Sequence, residues 1–165
     1  MDTPMEIERK WIVGGWPEAG LPLVKEESMR QGYVSVRPTV RIREEQPQGE
    51  EPSYILCLKS KGKLARKEIE IPVPEETFRN LEDLIGLPLV PKLRRTYLLP
   101  DGNRLEVNQV EPESDTGFWY AEVEFASVED AESWEIPEPL RGYLSREVTQ
   151  EKGYSMGAYW EKTRM

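Results

Sequence analysis

The chain contains no histidine. That removes a histidine general base, a Ser-His-Asp triad and any zinc site built on imidazole. It contains one cysteine, Cys57, so no internal disulfide can form, and the apolar setting Ile55-Leu56-Cys57-Leu58 predicts a buried small residue rather than a nucleophile. No apolar run approaches the length of a membrane span, and Asp2 and Glu6 stand where a secretory signal would be basic and then apolar, which leads us to expect a cytoplasmic protein. Basic residues are outnumbered, 22 against 31 acidic, for a net charge of −9. An extended nucleic-acid surface needs a basic face, so any anion site here must be local. With neither histidine nor a cysteine pair, the metals that suit the chain are hard divalent cations bound through oxygen, Mg²⁺ or Mn²⁺.

What is present is alternation. Successive side chains of a strand point to opposite faces, so Glu6, Glu8 and Lys10 share one face while Ile7 and Trp11, with Arg9, take the other. The same spacing recurs in Arg41 and Arg43, Lys59 and Lys61, Glu68 and Glu70, Lys92 and Arg94, and Glu122 and Glu124. Facing solvent, such a row would make an ordinary amphipathic sheet, its charges paired across strands and worth little. Facing inward in a closed sheet, it would line a tube with cations and carboxylates, able to hold a polyphosphate and a metal.

The strand-like segments are about 5–13, 32–36, 38–45, 53–60, 65–73, 93–99, 103–110 and 118–126. Pro22 to Arg30 reads as an amphipathic helix, and Pro74 to Ile85 as another, with Phe78, Leu81, Leu84 and Ile85 at helical spacing before Gly86. Further helical pieces are expected at Val128 to Ser133, Glu138 to Ser145 and Gly157 to Thr163. Short polar links, among them Pro47 to Pro52 and Pro100 to Asn103, favour antiparallel neighbours, and closure would remove exposed edges. The expected fold is therefore α+β but mainly β, a closed antiparallel eight-stranded β-barrel with flanking helices, and 165 residues suit one domain spanning 1–165.

Two close carboxylates repel unless a cation lies between them, so Glu6/Glu8 and Glu122/Glu124 are candidate ligands for one or two divalent ions if the strands meet. Arg41, Arg43, Lys59 and Lys61 are the complementary phosphate candidates, Arg as a planar fork of donors and Lys as a compact charge. In Lys92-Leu93-Arg94-Arg95, Lys92 and Arg94 share a face, leaving Arg95 to a structural role. Trp11, Trp16, Trp119 and Trp160 could offer an aromatic platform, but on such segments aromatics more often pack a core.

The ordered set Glu6-x-Glu8-x-Lys10, Gln31-Gly32-Tyr33, Arg41-x-Arg43, Lys59-x-Lys61, Glu68-x-Glu70, Lys92-x-Arg94, Glu122-x-Glu124 and Arg146-Glu147-Val148-Thr149 followed by Tyr154-Ser155 resembles the CYTH superfamily of triphosphate tunnel metalloenzymes over nearly the whole chain. The resemblance implies an eight-stranded tunnel, Mg²⁺ or Mn²⁺ dependence and a small-molecule linear triphosphate as substrate, with neither nucleic acid nor membrane as partner. Lys10, Arg41, Arg43, Lys59 and Arg94 would hold phosphates, with Lys61, Lys92 and Lys152 as further candidates; Lys10, Lys59 and Arg94 would carry catalysis. Glu6, Glu8, Glu122 and Glu124 would hold metal, joined by Glu106 and Asn108. Asn108 departs from the family pattern, which has Asp there, and Gly153 stands where a basic residue is usual, with Lys152 one place earlier.

Within the family the expected reaction is hydrolysis of inorganic tripolyphosphate to pyrophosphate and phosphate. A class IV adenylyl cyclase or an organic (thiamine or nucleoside) triphosphatase is the alternative; a non-catalytic polyphosphate-binding protein is disfavoured, because anion binding alone has no use for so many carboxylates.

Overall fold

The structure, a computed structural model, describes residues 5–18 and 20–165. Eight strands form the barrel: β1 (Met5–Val13), β2 (Leu23–Ser35), β3 (Thr39–Pro47), β4 (Ser53–Lys59), β5 (Ala65–Pro72), β6 (Val90–Leu98), β7 (Arg104–Val110) and β8 (Phe118–Glu124). Their order is β5-β4-β3-β2-β6-β7-β8-β1, and a β1–β5 pairing closes the ring. Every pairing is antiparallel. One strand makes closure possible by splitting its partners: Met5 to Ile7 pair with β5, whereas Glu8 to Val13 pair with β8. A ninth strand, β9 (Arg146–Glu147), lies outside the barrel against Trp11 and Ile12.

The segment 22–30, expected as a helix, is instead the first two thirds of β2, the longest strand of the barrel. Its burial alternates, with Glu27, Met29, Gln31 and Tyr33 buried on one face and Ser28 and Val34 exposed on the other. This period of two is read out only when β3 and β6 lie on either side and pair with the backbone. Leu, Lys, Glu, Met and Arg favour a helix intrinsically, and sheet pairing overrides that preference.

Helix α1 (Glu75–Ile85) forms where expected, with Glu75 and Glu76 in the first turn and Gly86 in a left-handed conformation closing the end. It buries Phe78 against Ile42 and Leu89 on the outer face of the barrel, a side-chain burial worth about 2–3 kcal/mol. Helix α2 (Val128–Ser133) is capped by the Ser127 side chain, which accepts from the Asp130 amide. The piece expected over 138–145 is helical only as a short 3-10 turn, Glu138–Leu140, and helix α3 (Met156–Arg164) closes the chain.

Two apolar layers cover the barrel. Ile7, Trp11 and Val13 join Leu105, Val107, Ala121, Val123, Leu140 and Leu144 in one outer core. Arg9, on the same outward face, clamps the C-terminal segment: it reaches Glu147 at 2.7 Å and donates to the carbonyls of Ala131 and Trp134. The second layer seats Met156, Tyr159 and Trp160 of α3 against Tyr33, Val90, Val110 and Tyr120. Gly32 is required for that docking, since a Cβ there would come within 2.4 Å of Leu89 Cδ2 and 3.2 Å of the Trp160 ring. Among the described residues no helix is long and apolar enough to cross a membrane.

Candidate active site

The inward faces of the strands, with the turn after β4 and the chain from Val148 into α3, enclose a cavity of about 1110 Å³. Strand alternation brings almost the entire expected set into it: Glu6, Glu8 and Lys10 from β1, Arg41 and Arg43 from β3, Lys59 from β4, Lys92 and Arg94 from β6, Glu106 from β7, and Glu122 and Glu124 from β8. Lys61 and Lys152 also line it, both exposed at the rim. Arg95 points outward, as expected, bonded to Glu26 at 2.7 Å and lying 4.2 Å from the Trp16 ring centroid.

Asn108 is the member of the set that does not line the cavity. It is fully buried, and its Oδ1 accepts from Arg94 Nε at 2.9 Å. Arg94 also reaches Glu106 at 3.2 Å, so this guanidinium is fixed from two sides. Burial disfavours its charge most, but Glu106, Tyr120, Glu122 and Glu27 together more than offset that and raise its pKa, keeping the cation permanent. Arg41 is buried too and likewise stays charged; its Nη2 contacts Cys57 Sγ at 3.9 Å. Cys57 is fully buried as expected, though on the inward face.

The carboxylates behave differently, because β1, β5 and β8 press them together. Lys10 lies directly opposite Glu122, and Glu8 opposite Glu124. Burial, then the Glu122 charge, pushes the Glu8 carboxyl well above the usual carboxylate range. Glu122 is buried as well, yet its hydrogen bond with Glu8 and the charges of Lys10 and Arg94 hold it below that range. A second pair lies alongside. Burial alone would raise Glu6, but Lys59 at 2.8 Å and Arg66 at 3.0 Å keep it ionised, while burial and the bond with Glu6 push Glu68 up to about 7. In each pair one carboxyl is pushed toward its ionised form and the other toward its protonated form.

A pair of carboxyls that must keep a proton to coexist suits a divalent cation, which would replace that proton and relieve the repulsion. Glu8 and Glu122, with Glu124 and Glu6 adjoining, could hold a divalent cation on this ground. Among the described residues, a different trio, Cys57, Glu68 and Glu70, brings its donor atoms within 4.8 Å of one another. Lys59 stands 3.2 Å from Glu68 and Arg43 3.3 Å from Glu70.

Sequence reasoning passed over Arg66, Tyr33 and Tyr120, all of which line the cavity, and gave Glu68 and Glu70 no role. The signal was present, since Arg66-x-Glu68-x-Glu70 and Tyr120-x-Glu122-x-Glu124 carry the same alternation. The four tryptophans offer no platform in the cavity. Trp11 belongs to the first outer layer with Trp16 and Trp119 packed against it, and Trp160 belongs to the second.

No protein-family model matches the chain. It is similar to the inorganic triphosphatase of Nitrosomonas europaea, at 38% identity over 153 residues that cover 90% of this chain and 92% of the relative. Among solved structures it is similar to that of the inorganic triphosphatase NE1496, with 29% identity, a TM-score of 0.59 and coverage of 96% of this chain and 95% of that one. A structure of HpAC1 from Hippeastrum, described as revealing a dominant triphosphatase activity, shares the fold at 17% identity and a TM-score of 0.57, covering 97% of both chains. The closed barrel, the charge order along its inward faces and the extent of the 38% match agree in one assignment: the chain belongs to the CYTH superfamily of triphosphate tunnel metalloenzymes.

Proposed function

We propose that the protein hydrolyses a linear triphosphate in a divalent-metal-dependent reaction, with inorganic tripolyphosphate, released as pyrophosphate and phosphate, as its substrate. The observation that carries this reading is the facing of two walls across one cavity: Arg41, Arg43, Lys92 and Arg94 on one side, Glu8, Glu122 and Glu124 on the other. Relatives named as inorganic triphosphatases support the same reaction.

Phosphoryl transfer asks little covalent chemistry of a protein, which suits a site without histidine. Arg41, Arg43, Lys59 and Arg94 bind the phosphates, hold the chain in line for attack by water and offset the charge that spreads over the terminal group. Lys10 closes the row from β1, where its ammonium also donates to the Tyr154 carbonyl. Lys61 and Lys152 meet the anion at the rim. Glu6, Glu8, Glu122 and Glu124, with Glu106, would hold the ion, and Asn108 serves the cationic wall by holding Arg94. A bound Mg²⁺ or Mn²⁺ supplies Lewis acidity and neutralises phosphoryl oxygens. When water attacks the terminal phosphorus, its oxygen forms the new P–O bond, the bridging P–O bond breaks, pyrophosphate leaves, and the proton lost by the water passes to solvent.

The aromatic residues of the cavity argue for an inorganic substrate. Tyr120 is engaged by Lys10 and Lys92, Tyr154 by Arg146, and Tyr33 packs beside Trp160. Each is thus already engaged within the protein. Product analysis with tripolyphosphate, ATP and thiamine triphosphate, each with Mg²⁺ or Mn²⁺, tests the reading. Rapid phosphate release from tripolyphosphate with little from ATP is expected; cyclic AMP with pyrophosphate from ATP, or no turnover of any substrate, would overturn it.

A further inference from the structure

Tyr120 has no role in the scheme above, yet it stands where the two walls meet. It lies on β8 two residues before Glu122, turns inward and is 2% exposed. The Lys10 ammonium sits over its ring, 4.2 Å from the centroid. Its hydroxyl accepts a hydrogen bond from Lys92 Nζ at 2.8 Å, and that ammonium lies 5.4 Å from the same ring. Lys10 is on β1 and Lys92 on β6, strands that β7 and β8 separate in the sheet. The side chain of Tyr120 is what both ammonium groups touch.

The choice of residue has a physical logic. Burial and then the Arg94, Arg41 and Arg43 charges push the Lys92 amine well below the usual lysine range, so an acceptor is needed to hold its long, flexible stem in one place and to favour its ammonium form. A carboxylate would supply that acceptor but cancel the charge that phosphate is to meet. An aliphatic side chain would leave the ammonium without a partner in a buried position. A phenol accepts the hydrogen bond while remaining neutral, and its ring attracts the second cation through the negative face of its π-system.

We propose that Tyr120 is a positioning residue that sets the ammonium groups of Lys10 and Lys92 along a single polyphosphate chain while leaving their charge available to it; this rests on the cavity being a triphosphate site. The hydroxyl governs Lys92 and the ring governs Lys10, so the two contributions separate by substitution. Tyr120→Phe keeps the ring and removes the acceptor. Tyr120→Leu removes both.

The test is a double-mutant cycle of Tyr120→Phe with Lys92→Met, reading KM and kcat for tripolyphosphate with Mg²⁺ and, separately, the equilibrium affinity for non-hydrolysable imidotriphosphate with Mg²⁺. Thermal melts accompany each variant to verify folding. Tyr120→Phe is expected to weaken imidotriphosphate binding and raise KM about tenfold in the otherwise native chain, the size of effect associated with a hydrogen bond to a charged group. In the Lys92→Met background the same change should alter either quantity less than about twofold, because the group it positions is gone. Tyr120→Leu should lose more than Tyr120→Phe; if it fails to fold, the Phe cycle decides alone. Binding by Tyr120→Phe within about twofold of the native protein, or equal losses in both backgrounds, would overturn the positioning role. A native protein that neither binds imidotriphosphate nor hydrolyses tripolyphosphate would overturn the triphosphate reading itself, and the role with it.

Discussion

The two walls of the cavity are built from the same device, inward alternation on antiparallel strands, but their charges are held in opposite ways. On β3 and β6 the cations are mostly guanidinium groups whose charge is permanent: Arg41 and Arg94 are buried and yet shifted toward tighter proton binding. On β1, β5 and β8 the carboxyls are crowded until some of them keep their protons, Glu8 beside Glu122 and Glu68 beside Glu6. The guanidinium groups of one wall are pushed toward their charged form, whereas the other wall includes carboxyls pushed toward their neutral form. On the proposed reading, a site of this kind would favour a metal-bound polyphosphate over a bare one.

Taking the ion away should break the comparison most completely. With EDTA in excess, tripolyphosphate turnover is expected to fall to background and to return when Mg²⁺ is restored, read as phosphate release. Next in size is Arg94→Ala, which deletes a fixed cation; a loss on the order of a hundredfold in kcat is expected, the usual cost of one positioned electrostatic group. Asn108→Leu leaves that cation in place but frees its Nε, and should cost about tenfold in kcat/KM, with Asn108→Asp retaining most of the activity because a carboxylate can still accept from Arg94.

The barrel's charge pattern was legible in the chain because a period of two requires no knowledge of the partner strands. Glu6-x-Glu8-x-Lys10 and Glu122-x-Glu124 announce a common face, and the structure sets them side by side on β1 and β8. Residues 22–30 were misread because Glu26, Glu27 and Arg30 satisfy a helical surface as well as a strand; only the ladders to β3 and β6 distinguish the two. Asn108 carried no sign of its contact, since the hydrogen bond to Arg94 is made across the β6–β7 pairing. Tyr120 was hidden by its chemistry: a tyrosine beside a carboxylate pair reads as core, and only the placement of Lys10 and Lys92 reveals otherwise.

Smaller effects sharpen the contrast. Glu8 and Glu68 bind their protons more tightly folded than unfolded, so the metal-free protein should lose stability as pH rises from about 4.5 through about 7, the level to which Glu68 is pushed. Glu6 and Glu122 are held below the ordinary range and stay ionised through that window. After discounting for solvent around the half-open Glu68, its share of the loss is on the order of 1 kcal/mol, or about 3 °C in the melting temperature between pH 5 and pH 8. Mg²⁺ should raise the melting temperature more at pH 8 than at pH 5. The smallest effect belongs to Arg95→Ala: this residue faces outward against Glu26 and Trp16, and turnover should stay within about threefold of the native rate.

The division of labour between the walls is tested most directly by a crystal structure of the protein with Mn²⁺ and imidotriphosphate, read through the anomalous signal of manganese. The account predicts a manganese peak at Glu8 and Glu122, with the phosphate chain on Arg41, Arg43 and Arg94. Manganese bound only at Cys57, Glu68 and Glu70, or a phosphate chain held away from the arginines, would contradict it.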